Sequence, residues 1–234
     1  MLPTLNHSTY NLKIPSTGQE IRYRPFLVKE EKTLMMAAES KDSEVISNAV
    51  CDIIKACTLE ENLNPKDLAG FDLEYIFLKI RGKSIGESVT FNIKCPECKK
   101  YTPITVNFDE VTVNAENCEL KKKVMLTKDV GVELKPISFR AAAKLESTKK
   151  EDLFIETIKS CISTVFDTEN VYDIKDIKDE ELTEWISNLA QNQLKEIESF
   201  VLQLPKLSHT VKYKCVHCGH KGSFTLEGLE DFFG

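Results

Sequence analysis

The amino-acid sequence predicts an internally duplicated α+β fold, in which each half has a β-hairpin, about three helices and a terminal β-hairpin with a Cys-x-x-Cys turn. Two Cys-x-x-Cys motifs, at 95–98 and 215–218, each lie between stretches in which apolar and polar residues alternate. A second pair of segments matches at 54–57 and 158–161, where Ile-Lys-Ala-Cys corresponds to Ile-Lys-Ser-Cys. Because the segments occur twice in the same order, we predict a first repeat at 1–113, a linker at 114–123 and a second repeat at 124–234.

Each half is predicted to begin with a hairpin that is followed by a helix. Gly18 lies between two alternating segments, which favours a tight turn, and Gly131 occupies a similar place in the second half. The stretches that come next contain few helix breakers. They predict helices at 26–40 and 138–147.

The middle of each half is also predicted to be helical. Apolar residues recur at helical spacing between 45 and 57, which predicts one buried stripe, and 153–161 is the matching segment. Further helices are predicted at 68–81 and 182–204. The segment 71–81 is apolar on most sides, so we expect it either to be buried in a core or to be covered by a partner.

The composition favours a protein partner over nucleic acid. The 234 residues carry a formal net charge of −6, whereas binding to a phosphate backbone requires clustered lysine and arginine. The N-terminal segment lacks the basic and apolar regions of a signal peptide, and no stretch approaches the roughly 20 apolar residues of a membrane span. We therefore expect no membrane association, and a reducing compartment in which thiols stay free.

The two Cys-x-x-Cys turns predict a metal site. Zinc prefers four thiolates in tetrahedral geometry, and a Cys-x-x-Cys turn at the tip of a hairpin supplies two of them from one rigid element. We expect Cys95, Cys98, Cys215 and Cys218 to share one structural zinc ion per chain, in zinc-ribbon-like hairpins that link the two halves.

The residue after the second cysteine differs between the two turns, being Lys99 in the first and Gly219 in the second. The residue after the second cysteine often has a positive φ, which Gly219 adopts easily and Lys99 does not. This difference predicts a distorted or less tightly closed first turn.

Three other interpretations of the cysteines stay open at this point. His217 or His220 replaces a sulfur, the turns hold no metal, or the motifs perform redox chemistry. Redox motifs of the thioredoxin type place the reactive cysteine at a helix N-terminus, whereas strands flank both motifs here. Cys51, Cys57 and Cys161 are predicted to be small core residues, and Cys118, in the linker, has no predicted role.

No constellation of catalytic residues is visible, so we predict a protein that is not an enzyme. The chain contains neither a Walker motif nor a Gly-x-Gly-x-x-Gly turn, and Arg-Gly-Lys-Ser at 81–84 lacks the first Walker glycine and ends a predicted helix. Phe232 and Phe233 precede the last residue, Gly234, and we expect them to dock either onto the protein's own hairpins or onto a partner.

Two longer segments of the first half carry a family resemblance. The run from Ile14 to Lys32, with Leu2-Pro3 before it, and the block from Phe71 to Glu87, which precedes Lys-Cys-x-x-Cys, resemble the baseplate hub proteins of T4-like contractile-tailed phages. The second half resembles that family more loosely, through its Cys-x-x-Cys motif and its terminal Phe-Phe.

The resemblance implies a hub subunit or a hub assembly factor with no catalytic residues. It implies that the partners are other baseplate hub and tail proteins, and that the protein is found in the host cytoplasm during assembly or in the virion tail. The alternative is a zinc-ribbon module that binds nucleic acid through basic residues near the turns: Lys94, Lys99, Lys100, Lys212, Lys214 and Lys221. A thiol oxidoreductase is the third hypothesis.

Overall fold

The helices and strands fall into two compact units. The computed structural model describes residues 5–113, 120 and 122–233. The first unit lies within 1–65, 71–114 and 206–234, and the second lies within 66–70 and 115–205. Both Cys-x-x-Cys hairpins therefore belong to the first unit. The predicted repeats are divisions of the sequence, whereas these units group residues by contact, so the repeat boundaries stay a prediction.

The fold is mixed α/β, as predicted. The α-helices of the described residues are α1 Val28–Ser40, α2 Ser43–Cys57, α3 Gly70–Ser84, α4 Phe139–Glu146, α5 Leu153–Cys161, α6 Asp179–Ser187, α7 Gln191–Leu202 and α8 Gly228–Phe233. The strands are β1 Tyr10–Lys13, β2 Glu20–Tyr23, β3 Ser88–Lys94, β4 Tyr101–Asn107, β5 Thr112–Val113, β6 Lys122–Met125, β7 Gly131–Leu134, β8 Ile162–Phe166, β9 Val171–Asp173, β10 Leu207–Lys214 and β11 Lys221–Glu227.

The first unit begins with the hairpin of β1 and β2, which the sequence predicted. Gly18 closes its turn with a φ of 69°, a left-handed conformation that glycine adopts without steric cost. The N–H of Gly18 donates to the carbonyl of Ile14 at 2.8 Å. Ile21 and Tyr23 alternate with exposed residues along β2, so one face of the hairpin is buried.

The helix α3 is the buried centre of the first unit. Ile76, Leu78 and Ile80 are fully buried, and so are the neighbouring faces of the helix. Of the two expectations for this segment, burial in a core is the one that is confirmed. The buried Lys79 donates from Nζ to the carbonyls of Phe108 at 2.7 Å and Val111 at 3.1 Å, which fixes the chain that leaves β4.

The two cysteine hairpins follow the predicted pattern. Strands β3 and β4 pair without interruption from Ser88 with Asn107 to Lys94 with Tyr101. Strands β10 and β11 pair in the same way, and β5 adds to the other edge of β10. The helix α8 follows β11, and Phe232 is fully buried, with its ring 6.5 Å from the ring of Phe108. Phe232 therefore docks onto the protein itself.

The second unit is built around an antiparallel sheet in the order β6-β7-β8-β9. Helices α5, α6 and α7 supply residues to the same core. The sequence predicted α4 and α5, but it did not predict the pair β8 and β9. The fully or almost fully buried side chains of this core include Val132, Leu134, Ile158, Ile162, Ile197 and Phe200.

Two predictions for the second half were wrong. Gly131 does not form a hairpin turn but begins β7, where it pairs with Met125. A Cβ atom at Gly131 would lie 2.4 Å from Cζ of Phe166 and 2.8 Å from the carbonyl oxygen of Val124. The glycine is therefore required for a close approach between strands, not for a turn conformation.

The predicted helix 182–204 is also wrong, because α6 and α7 are separate helices. Asn188 ends α6, and its side-chain amide donates to the carbonyl of Glu184 at 3.0 Å. The side chain of Gln193 then accepts from the N–H of Ala190 at 2.7 Å and starts a new helix. Asparagine side chains compete for backbone hydrogen bonds in this way. This explains why the helix ends at Asn188 although the apolar pattern continues.

The predicted linker lies mostly outside the described residues, and so does Cys118. Strand β6 begins at Lys122, two residues before the predicted start of the second repeat. Among the helices of the described residues, none combines the length and the apolar character needed to cross a bilayer.

Candidate metal centre

The two Cys-x-x-Cys turns have the same backbone structure. In the first, the N–H of Cys95 donates to the carbonyl of Lys100 at 2.9 Å, and the N–H of Lys99 donates to the carbonyl of Cys95 at 3.0 Å. In the second, the corresponding bonds join Cys215 with His220 at 2.8 Å and Gly219 with Cys215 at 3.0 Å. Each turn therefore presents its two cysteines at the end of a paired strand.

The expected distortion of the first turn is absent. Lys99 adopts a φ of 60° and Gly219 a φ of 76°, so both residues are in the left-handed region. This conformation costs an L-residue roughly 1–2 kcal/mol, because Cβ approaches the carbonyl oxygen. The first turn closes as fully as the second, and Lys99 carries the conformational strain.

The four cysteines meet at one place. Their Sγ atoms all lie within 4.8 Å of one another, and the described residues contain no other close group of three or more metal-ligating side chains. Cys95 Sγ lies 3.7 Å from Cys218 Sγ, and Cys98 Sγ lies 3.6 Å from Cys215 Sγ. A tetrahedral zinc ion with bonds of about 2.3 Å needs sulfurs roughly 3.8 Å apart. A disulfide needs about 2.05 Å, so these distances fit a metal ion and not a cross-link.

The environment of the sulfurs lowers the pKa of Cys215 and raises that of Cys218. The hydroxyl of Thr102 donates to Cys215 Sγ at 3.4 Å, and with the N–H groups of Cys218 and His217 it lowers the pKa of Cys215 to about 5. The hydrogen bond from the N–H of His220 lowers the pKa of Cys218. Burial and the neighbouring sulfurs together have a larger, opposite effect, and they raise this pKa to about 12. Adjacent thiolates repel one another, so a cation is what allows all four to ionise.

The histidines beside the second turn are not part of the sulfur cluster. His217 Nε2 lies 3.1 Å from the carbonyl oxygen of Tyr101 on the first hairpin. Neither His217 nor His220 belongs to the close group formed by the described residues. The geometry therefore favours four sulfur ligands, with His217 holding the two turns together from outside.

One aromatic contact joins the two hairpins behind the sulfurs. The ring centroids of Phe91 and Phe224 lie 6.4 Å apart at a steep angle. Within the second hairpin, Tyr213 packs on Phe224 in the same way at 6.2 Å. The hairpins thus share a small apolar contact beneath the sulfur cluster. A metal ion bound by the four cysteines would join the two hairpins at their turns.

The sequence did not indicate Thr102 or the carbonyl of Tyr101 as parts of the site. Both lie next to the first turn, but each contacts the second hairpin more than 110 residues away. Thr102 lies on the buried face of β4 with Ile104 and Val106, but its contact with Cys215 follows only from the packing of two hairpins. No local pattern predicts such a contact.

The other described cysteines are core residues, as predicted. Cys51, Cys57 and Cys161 are buried in their helices. Burial raises the pKa of Cys57 to about 11 and that of Cys161 to about 12, so neither thiol is activated. Their role is to fill space.

The fold and the site define a mixed α/β protein in which two strand-flanked cysteine turns form one candidate metal centre. The family model described as T4 bacteriophage base plate protein matches residues 7–234, and the chain belongs to this family. The match confirms the resemblance to baseplate proteins of T4-like phages and extends it over both halves. Comparisons with curated proteins and with solved structures found no match.

Proposed function

We propose that this protein is a non-enzymatic component of the phage baseplate hub, acting as a structural subunit or as a factor that assembles the hub. The observation that supports the proposal is the family match over residues 7–234. The protein acts through contacts with other hub and tail proteins. It is present in the host cytoplasm during assembly and, as a subunit, in the virion tail.

The cysteine site gives this protein a metal-held framework. One structural zinc ion, bound by Cys95, Cys98, Cys215 and Cys218, fastens the hairpin β3–β4 to the hairpin β10–β11. Four protein ligands fill a tetrahedral coordination sphere, so the ion has no open position for water or substrate. The ion stabilises the fold and takes no part in a reaction.

Quantification of the protein in purified phage particles and in assembly intermediates tests the role. A hub subunit is present in particles in a fixed ratio to other baseplate proteins. An assembly factor is present in intermediates and absent from particles. Absence from both would contradict a role in the hub.

Cobalt substitution tests the ligand set. A tetrahedral four-thiolate cobalt(II) site absorbs strongly in the visible range and shows sulfur-to-metal charge transfer, whereas an oxygen-rich octahedral site absorbs weakly. We expect the strong spectrum from the native chain and from Cys51→Ala, which leaves the site intact. Cys98→Ser should weaken the charge-transfer band, and an unchanged spectrum would contradict the assignment.

Nucleic-acid binding is the second candidate, since exposed lysines surround the two turns. They are Lys94, Lys99, Lys100, Lys212, Lys214 and Lys221. Binding that relies on them would be strong at low salt and would weaken steeply as salt is added. We expect no binding of DNA or RNA at low salt, because the chain as a whole is acidic.

A further inference from the structure

The second unit carries an open apolar cleft that the metal centre does not involve. Its volume is about 320 Å³, and it lies between the sheet and α6. Apart from one carboxylate its lining is apolar or aromatic, and Tyr172 keeps 45% of its surface exposed. Clefts of this kind typically mark binding sites. The lining residues are Val165, Tyr172, Ile177, Glu181, Leu182 and Trp185.

Tyr172, in the lining of the cleft, belongs to β9, the edge strand of the sheet. All three of its residues are exposed, and β9 ends the order β6-β7-β8-β9. An edge strand offers backbone N–H and C=O groups to an incoming extended segment. This cleft therefore combines an apolar pocket with a backbone edge.

The turn before β9 is fixed by Asp167. Its carboxylate accepts from the N–H groups of Glu169 at 2.8 Å and Asn170 at 2.7 Å. It also accepts from the hydroxyl of Tyr172 at 3.1 Å. The aromatic side of the cleft is thus held in place before any partner arrives, which lowers the entropy lost on binding.

The chain segment around this cleft contains the whole negative excess of the protein. Residues 167–184 include eight carboxylates and two lysines, an excess of six negative charges that equals the net charge of −6 of the entire chain. Most of these carboxylates are exposed, although Asp179 also pairs with Lys159 Nζ at 2.9 Å. A concentrated negative potential attracts cationic partners and repels acidic ones.

We propose that this cleft binds an extended segment of another tail protein, in which a large apolar side chain is flanked by lysine or arginine residues. The apolar side chain enters beside Tyr172 and Trp185, the segment's backbone pairs with β9, and its cations face the carboxylates of 167–184. The inference rests on the proposed function, because contacts with other tail proteins supply this class of partner.

Trp185 provides the signal for the test, since it is the single tryptophan in the chain. The probe is a blocked peptide of alternating lysine and leucine, added to the full-length protein while Trp185 fluorescence is followed. Two control peptides replace every lysine by glutamate or every leucine by serine. We expect a saturable one-to-one change with the lysine–leucine peptide, weaker binding at higher salt, and no saturation with either control.

Matched variants of the protein locate the binding. Glu181→Lys reverses a charge in the lining of the cleft, and Glu151→Lys makes the same change at an exposed position before α5. We expect about tenfold weaker binding for Glu181→Lys and unchanged binding for Glu151→Lys.

Several results would overturn the proposal. Equal binding of the lysine–serine peptide would show simple attraction of a polycation, and equal effects of the two variants would place the binding elsewhere. Self-association of the free protein that Glu181→Lys removes would make a second copy the occupant. Quantification in particles tests the proposed function separately, so a failure of peptide binding leaves that result unchanged.

Discussion

Lys99 and Gly219 occupy the same position in two equal turns but differ in conformational cost. The φ of 60° at Lys99 is unfavourable for a side chain with a Cβ, whereas the φ of 76° at Gly219 suits glycine. We therefore expect Lys99→Gly to raise the free energy of unfolding by about 0.5–1 kcal/mol, since the relief of strain exceeds the entropy that glycine adds to the unfolded chain. Urea unfolding of metal-loaded protein measures the change.

Two matched substitutions control this experiment. Gly219→Lys should lower the free energy of unfolding by a similar amount, because it imposes the same strain on the second turn. Lys100→Gly makes the same chemical change at a neighbouring residue without a positive φ, so it should destabilise slightly. A loss of stability in Lys99→Gly would show that the lysine side chain itself supports the turn.

Lys79 is a buried residue that the sequence did not single out. Its ammonium group donates to the carbonyls of Phe108, Asp109 and Val111, three acceptors in the chain that leaves β4. We expect Lys79→Met to destabilise the protein by about 2–4 kcal/mol, because buried carbonyls lose a charged donor. Lys83→Met, in the same helix, removes only partly exposed ion pairs and should cost less than about 1 kcal/mol. Similar effects of the two changes would contradict this role.

In both sequence halves, the residue that follows a strand bonds to the last residue of a helix, which supports the proposed duplication. The N–H of Arg24, just after β2, donates to the carbonyl of Cys57 at 3.0 Å, and the N–H of Lys135, just after β7, donates to that of Cys161 at 2.7 Å. Each helix therefore ends on a buried cysteine beside a strand. The matching segments 54–57 and 158–161 are the last turns of these two helices.

The two hairpins correspond residue by residue. The hydroxyls of Thr90 and Thr105 lie 3.0 Å apart across the first, and those of Thr210 and Thr225 lie 2.9 Å apart across the second. Thr90 and Thr210 are 120 residues apart in the sequence, and so are Thr105 and Thr225. The corresponding cysteines of the two turns have the same separation. The same cross-strand pair at the same distance from each turn is what the proposed duplication predicts.

The packing at Gly131 gives a prediction for the second sheet. A Cβ there meets the ring of Phe166 and the backbone oxygen of Val124, which cannot move without disturbing β6. We expect Gly131→Ala to destabilise by about 1–3 kcal/mol. Gly86→Ala is the control, since a Cβ at Gly86 meets nothing within 4 Å. Equal losses of thermal stability in the two variants would contradict the close packing at Gly131.

Local elements could be predicted from the sequence, whereas their grouping could not. The hairpins at Gly18 and at both cysteine turns depend on alternation and turn residues within about 20 positions. The division between α6 and α7 depends on two side chains, Asn188 and Gln193, inside an apolar pattern that continues. The strand β9 is exposed along its whole length, so it has no alternation from which it could be predicted.

At the scale of the whole molecule, the chain returns to its first unit after completing the second. Strands β10 and β11 and the helix α8 join elements that end more than 90 residues earlier. The cysteine spacing predicted that the two turns meet, because a four-thiolate site needs both. The membership of both hairpins in one compact unit was not predictable, since the repeat pattern assigns them to different halves.

The end of the chain contributes to the stability of this arrangement. Phe232 is fully buried against Phe108, so Phe232→Ala should cost about 3–4 kcal/mol by leaving a cavity. Leu202→Ala, at a position that is 84% exposed, should change the free energy of unfolding by less than about 0.5 kcal/mol. If Phe232→Ala were as mild as Leu202→Ala in denaturant unfolding, α8 would not be a structural part of the first unit.

We propose that one zinc ion joins the two hairpins through Cys95, Cys98, Cys215 and Cys218. Metal analysis by mass spectrometry, on protein purified without chelator, tests it most directly. We predict one zinc ion per chain in the native protein and in Cys51→Ala, and clearly less than one in Cys215→Ser. Two ions per chain would mean that the hairpins bind metal separately, and none would contradict the metal site.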